Sequence, residues 1–163
     1  MRFAPWTSDG HLRDGVTVAR HERGSCFTGS IAVDSPDAWR CLIGNYLYDP
    51  CFASPSPAST TLACVASPWS LVTLLKLDHA LPLTYANKAG GPSYPWAFTL
   101  ANGQRCVVGT GANGTVAGVT LDYYCGSGAA GRLDTSAKRW TVDYVPTGAA
   151  SSTTVAVTQA MES

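Results

Sequence analysis

The sequence predicts a mostly β fold, a disulfide-bonded β-sandwich or barrel-like domain with one short helix near residues 35–43. Three observations carry this reading. Much of the chain consists of short segments rich in β-branched and aromatic residues, several of them alternating at period two, punctuated by Gly, Pro, Asn and Ser. Six cysteines, Cys26, Cys41, Cys51, Cys64, Cys106 and Cys125, form an even set in a chain of 163 residues. Only one segment carries paired start and stop signals for a helix.

Residues 1–24 are polar and without clear periodicity, and are expected to form an N-terminal leader or edge segment; residues 25–160 are read as a single six-cysteine β domain. Within the leader, the alternation of VTVARH suits a first strand. The helix signal is SPDAWRCLIG: Ser35 can cap, Pro36 suits the first helical position, Asp37 complements the N-terminal dipole and Gly44 can end the helix. FASPSPAST then reads as a surface loop. TTLACVA, SLVTLLKL, WAFTLA, QRCVVG, TVAGVTLDYYC, KRWTVDYV and TTVAVTQA read as strands. Between WAFTLA and QRCVVG, Asn102 and Gly103 predict a type I′ hairpin turn, with positive φ at both residues. In RWTVDY, Trp140, Val142 and Tyr144 share one face of a strand.

The cysteines favour disulfides over zinc, because structural zinc sites use close pairs such as C-x2-C and the shortest spacing here is Cys41 to Cys51. Six cysteines allow about fifteen connectivities; pairing neighbours in sequence, Cys26 with Cys41, Cys51 with Cys64 and Cys106 with Cys125, is the expectation. Disulfides imply an oxidising, extracellular setting, and reduced thiols in a cytoplasmic protein are the competing reading. The first 24 residues hold no apolar run resembling a signal-peptide core, so a secreted location implies that an export signal was removed or that the start lies elsewhere. No stretch approaches the roughly 20 apolar residues of a membrane helix, so the protein is not expected to be membrane-embedded. Lys plus Arg and Asp plus Glu number 11 each, for zero net charge, which removes the electrostatic footprint of a nucleic-acid binder.

Catalytic and cofactor motifs are thin. Gly109, Gly111 and Gly114, and Gly126, Gly128 and Gly131, match G-x-G-x-x-G, but each run leads into a strand pattern rather than the helix that a dinucleotide site needs. These glycines are expected in turns and loops. His11, His21 and His79 are scattered, so no metal and no cofactor is expected. There is no G-x-S-x-G elbow. Asp34, Asp37, Asp49, Asp122 and Asp143 are candidates for paired carboxylates, but each is better suited to a cap, turn or ion pair. The five Trp and seven Tyr are the richer resource: Trp39, Trp96 and Trp140 are expected in the core, while other aromatics can form binding surfaces.

The run GSCFTGSIAVDSPDAWRCLIGNYLYDPCF resembles a pattern in secreted actinobacterial proteins, in which G-S-C-[WF]-[ST]-x-S is followed by D-A-[WY]-R-C-x-x-G-N-x-x-x-D-P-C-F. PWAFTLANGQRCVVGTGA, the Tyr124-Cys125 pair and RWTVDYV are similar to the W-x-x-x-L-x-N-G-x-x-C, Y-x-C and W-T-V of the same six-cysteine family. The resemblance spans most of residues 24–160 and all six cysteines. It implies an extracellular domain of unassigned activity.

Arg40, Asn45, Tyr48 and Asp49 lie in the densest part of that motif and are the candidate ligand-binding residues. The competing role is structural: Asn45 in a turn beside Gly44, Asp49 bonded to backbone N–H groups, and Arg40 paired with Asp49. The chain is poor in catalytic residue types and rich in Trp, Tyr, Ser and Thr. The expected function is therefore a non-catalytic extracellular recognition or adaptor module, monomeric or weakly associating, that binds a protein partner or a cell-envelope glycan. The alternative is a small secreted hydrolase using Asp49 with a second Asp or His79.

Overall fold

The computed structural model describes residues 1–56, 59–88 and 94–162; Pro57 and Ala58 of the expected surface loop lie outside the described residues. The protein is mostly β and divides into two compact units, Arg2–Tyr94 and Pro95–Glu162, the latter joined by Met1. Two units thus occupy the span that the sequence suggests as one domain. Each contains its own closed β-barrel.

The first barrel comprises β1 (Val18–Gly29), β2 (Ala38–Ile43), β3 (Tyr46–Ala53), β4 (Thr61–Cys64) and β5 (Val72–Leu77). Neighbours in sequence pair antiparallel from β1 to β5. A parallel pairing of β1 with β5, from Val18 opposite Val72 to Gly24 opposite Leu77, closes the ring. Closure leaves no free sheet edge among these strands. The interior is filled by Cys26, Trp39, Cys41, Ile43, Cys51, Leu62, Cys64, Leu75 and Leu77.

Residues 38–43 form strand β2, which corrects the expected helix over 35–43. The Ser-Pro-Asp signal makes only a tight turn, closed by the Ala38 N–H on the Ser35 carbonyl (3.1 Å). Beyond it, Trp39, Cys41 and Ile43 point inward, and Cys41 stands directly opposite Cys26 on β1. A two-turn helix has little stability of its own, so the disulfide and the buried indole decide the conformation. β2 and β3 meet at a two-residue turn, Gly44–Asn45, whose Gly44 has φ +58°, as a II′ turn requires at its first central residue.

Residues 1–24, expected as a leader or edge segment, contain ordered contacts. Pro5 is fully buried, Trp6 and Leu12 form an antiparallel bridge, and β1 runs through the expected boundary at residue 24.

The second barrel is formed by β6 (Ala97–Leu100), β7 (Arg105–Val108), β10 (Tyr123–Cys125), β11 (Gly128–Asp134), β12 (Thr141–Pro146) and β13 (Thr153–Met161), all antiparallel to their neighbours, with β13 returning to pair with β6. A small hairpin, β8 (Thr115–Val116) and β9 (Val119–Thr120), is inserted between β7 and β10. Its turn residues Ala117 and Gly118 both have positive φ. TVAGVTLDYYC, expected as one strand, is therefore three short ones.

The Asn102-Gly103 hairpin is present with a different turn. Only Gly103 has positive φ (+82°). The Gly103 N–H bonds the Leu100 carbonyl (2.9 Å), and the Leu100 N–H bonds the Gln104 carbonyl (2.8 Å). This is a three-residue loop ending in a left-handed glycine rather than type I′.

β11 runs through GAAGRLD and so takes in Gly128 and Gly131, which the sequence suggests in turns or loops. Gly131 is required there because a Cβ would overlap the Thr120 carbonyl oxygen. Phe98, Leu100, Cys106, Tyr123, Ala130, Val142 and Tyr144 fill this barrel, with the Phe98 and Tyr123 rings 4.6 Å apart. Trp39 and Trp96 are buried as expected, whereas Trp140 is partly exposed.

The three disulfides join sequence neighbours as expected: Cys26–Cys41, Cys51–Cys64 and Cys106–Cys125. Each links residues directly opposed on adjacent strands.

Candidate functional site

Asp49 is the most constrained polar residue of the expected motif. Its side chain is only 1% exposed. It accepts hydrogen bonds from the Ser30 hydroxyl and from the Ile31 N–H (3.2 Å), and the Arg40 guanidinium Nε lies 3.8 Å from Oδ2. Burial raises its pKa above the ordinary 3.8; the bonds from Ser30 and Ile31 and the charge of Arg40 offset part of that effect.

Ser30 extends the same network. Its Oγ accepts from the N–H groups of Ala32 (3.1 Å) and Val33 (2.9 Å), while the Asn87 amide donates to the carbonyls of Ser30 (2.7 Å) and Val33 (3.0 Å). Asn87 approaches so closely that a Cβ at residue 29 would overlap its side chain, which explains Gly29. These groups shape the turn that follows β1. Five of these six hydrogen bonds run to backbone groups.

The four candidate residues do not converge. Arg40 and Asp49 lie together. The Tyr48 hydroxyl is instead bonded by Arg20 Nη2 (2.6 Å), whose Nε reaches Thr73 Oγ1 (3.3 Å), and Asn45 is exposed at the β2–β3 turn. His79 is exposed beyond β5, where its neighbour Asp78 pairs with Arg23 (2.7 Å). Asp143 is held by Arg132 Nη1 (3.3 Å) and Thr154 Oγ1 (3.1 Å). Neither glycine run precedes a helix. The sulfurs of Cys41, Cys51 and Cys64 lie within 4.8 Å of one another, but all three belong to disulfides and offer no thiolate to a metal.

A different surface emerges on the outside of the first barrel. Leu42 on β2 stands directly opposite Leu47 on β3, and both are 43% exposed. Ser25 on β1 is opposite Leu42; Phe27, two residues further along, is 45% exposed, and Tyr46 at the hairpin end is 74% exposed. Leu42, Leu47 and Phe27 thus place exposed apolar side chains on three adjacent strands, while Tyr46, paired with inward-pointing Ile43, lies at the hairpin end and outside that face. Strand alternation would have revealed it from sequence, since it sends Leu42 outward once Cys41 is placed inward. The helix reading of 35–43 concealed that alternation.

Among the described residues, no helix is long and apolar enough to cross a membrane. Comparison with protein-family models, curated proteins and solved structures found no match.

Proposed function

We propose that the protein is a non-catalytic extracellular recognition module of the secreted six-cysteine kind that its motifs resemble, and that it binds a protein partner through the outer face of β1–β3. The observation that carries this reading is the exposed apolar strip of Phe27, Leu42 and Leu47. These side chains lie outside the buried cluster that fills the barrel, and contiguous exposed apolar surface marks interaction sites. Aromatic residues are enriched in protein interfaces because they bury a large area with few rotatable bonds. The three disulfides support an oxidising location. The hydrolase alternative has less support, because Asp49 is enclosed and bonded to Ser30 and Ile31.

The test is capture of surface or secreted proteins by the immobilised oxidised chain, followed by measurement of the affinity of each purified captured protein. A Leu42→Ser/Leu47→Ser variant should retain the β circular-dichroism signature and all three disulfides while weakening binding by at least about tenfold, a loss of about 1.4 kcal/mol. Unchanged affinity in that variant would remove the strip from the binding site.

A further inference from the structure

The first unit also contains a groove of about 470 Å³ whose walls differ in chemistry from the apolar strip. Phe3, Trp6 and Phe52 contribute aromatic surface, and Arg2, Arg13 and Asp37 lie on its exposed rim. Its size lies within the range of small-ligand sites, which combine apolar walls with a few polar groups that fix orientation.

The aromatic wall is held in place. The Trp6 indole N–H donates to the Phe52 carbonyl oxygen (2.9 Å), and the Phe3 and Phe52 ring centroids are 5.5 Å apart. Arg13 is anchored beside it: Nε donates to the Trp6 carbonyl (2.9 Å), and the Arg13 N–H donates to the Pro5 carbonyl (2.9 Å). With Nε engaged, the Arg13 Nη groups have no hydrogen-bond partner among the described residues. The segment carrying Arg2, Phe3 and Trp6 is thus fastened to β3 by side-chain bonds, and the indole is not free to turn away.

We propose that this groove binds a short acidic oligosaccharide, a chain of pyranose rings bearing carboxylates. The C–H face of a pyranose ring is apolar and matches an indole surface, whereas its hydroxyls need donors and acceptors at the edge of the ring. Arg13 and Arg2 supply donors, and Asp37 supplies an acceptor. Two guanidinium groups against one carboxylate leave the rim net positive, which favours sugars with carboxylates over neutral ones. Nucleic acid is a poorer match, because a phosphate backbone calls for an extended basic surface and the chain has no net positive charge. This site is independent of the protein-binding strip.

The experiment is a titration of the full oxidised chain, followed by amide chemical shifts, with trigalacturonate, maltotriose and tetraglutamate as probes. Trigalacturonate should bind in the millimolar range or tighter, shifting Trp6, Arg13 and Asp37, and should weaken as salt is added. Maltotriose and tetraglutamate should each bind at least about tenfold more weakly. Trp6→Ala should abolish binding. Arg2→Gln alters an exposed side chain and leaves the aromatic wall intact; it should weaken trigalacturonate several-fold without changing the melting temperature. The Leu42→Ser/Leu47→Ser variant should bind trigalacturonate as the parent does, so this test and that of the protein-binding strip fail separately. Equal binding of maltotriose or tetraglutamate, indifference to Arg2→Gln, or no shift at millimolar trigalacturonate would overturn the proposal.

Discussion

Asp49 shows how a residue suggestive of chemistry can be absorbed by architecture. Its carboxylate accepts from Ser30 and Ile31 and faces Arg40, and burial shifts its pKa upward from 3.8. The consequence for stability has a definite sign. A carboxyl whose pKa is raised by folding is more easily protonated in the native state than in the unfolded chain. Its stabilising contribution is complete below 3.8 and is lost as pH rises through the higher native value. The melting temperature of the parent minus that of Asp49→Asn should therefore fall as pH increases from below 3.8 and level off above the native pKa. A flat difference across that range would show that the carboxyl titrates normally. The sequence placed Arg40 and Asp49 together as a candidate ion pair, and the pair exists. Ser30, which bonds Asp49, and Asn87, which bonds the Ser30 and Val33 carbonyls, were not legible, because they lie 19 residues before and 38 residues after Asp49 in sequence and only the folded chain brings them near.

Among the elements, β2 and β11 are instructive because local signals misread both. The Ser-Pro-Asp start of the expected helix is a real turn, but the six residues after it bury Trp39 and pair with strands on both sides. β11 contains two glycines, which weaken a strand taken alone. Gly131 is nonetheless needed because the Thr120 carbonyl occupies the space of its Cβ. Gly131→Ala should destabilise the protein by about 1–3 kcal/mol through overpacking against backbone. Gly111→Ala, where nothing lies within 4 Å of the added Cβ, should fall within about 0.5 kcal/mol of the parent in the same denaturant titration. The elements read correctly, such as β5, β12 and β13, alternate or carry β-branched residues over enough length for period two to be recognised.

At the scale of the whole molecule, the disulfides reinforce pairings that the strands already make. Cys106 and Cys125 are separated by 19 residues, and their bond closes the base of the excursion that carries β8 and β9. In the chain-entropy account, a loop of that length is worth about 3 kcal/mol. A Cys106→Ala/Cys125→Ala variant should lose roughly that amount in chemical unfolding, with the Cys26–Cys41 and Cys51–Cys64 bonds still detected by mass spectrometry. A much smaller loss would mean that the unfolded chain is already restricted in this region. By itself, the sequence determined the β character, the neighbour pairing of the cysteines and the presence of a hairpin at Asn102-Gly103, since each depends on residues close together in the chain. The strand at 38–43, the strand through Gly128 and Gly131, the closure of two barrels and the structural employment of Asp49 were decided only by the tertiary structure. They depend on contacts such as β1 with β5 and β6 with β13, whose partners are more than 50 residues apart in sequence, and no local periodicity encodes which distant strand will complete a ring.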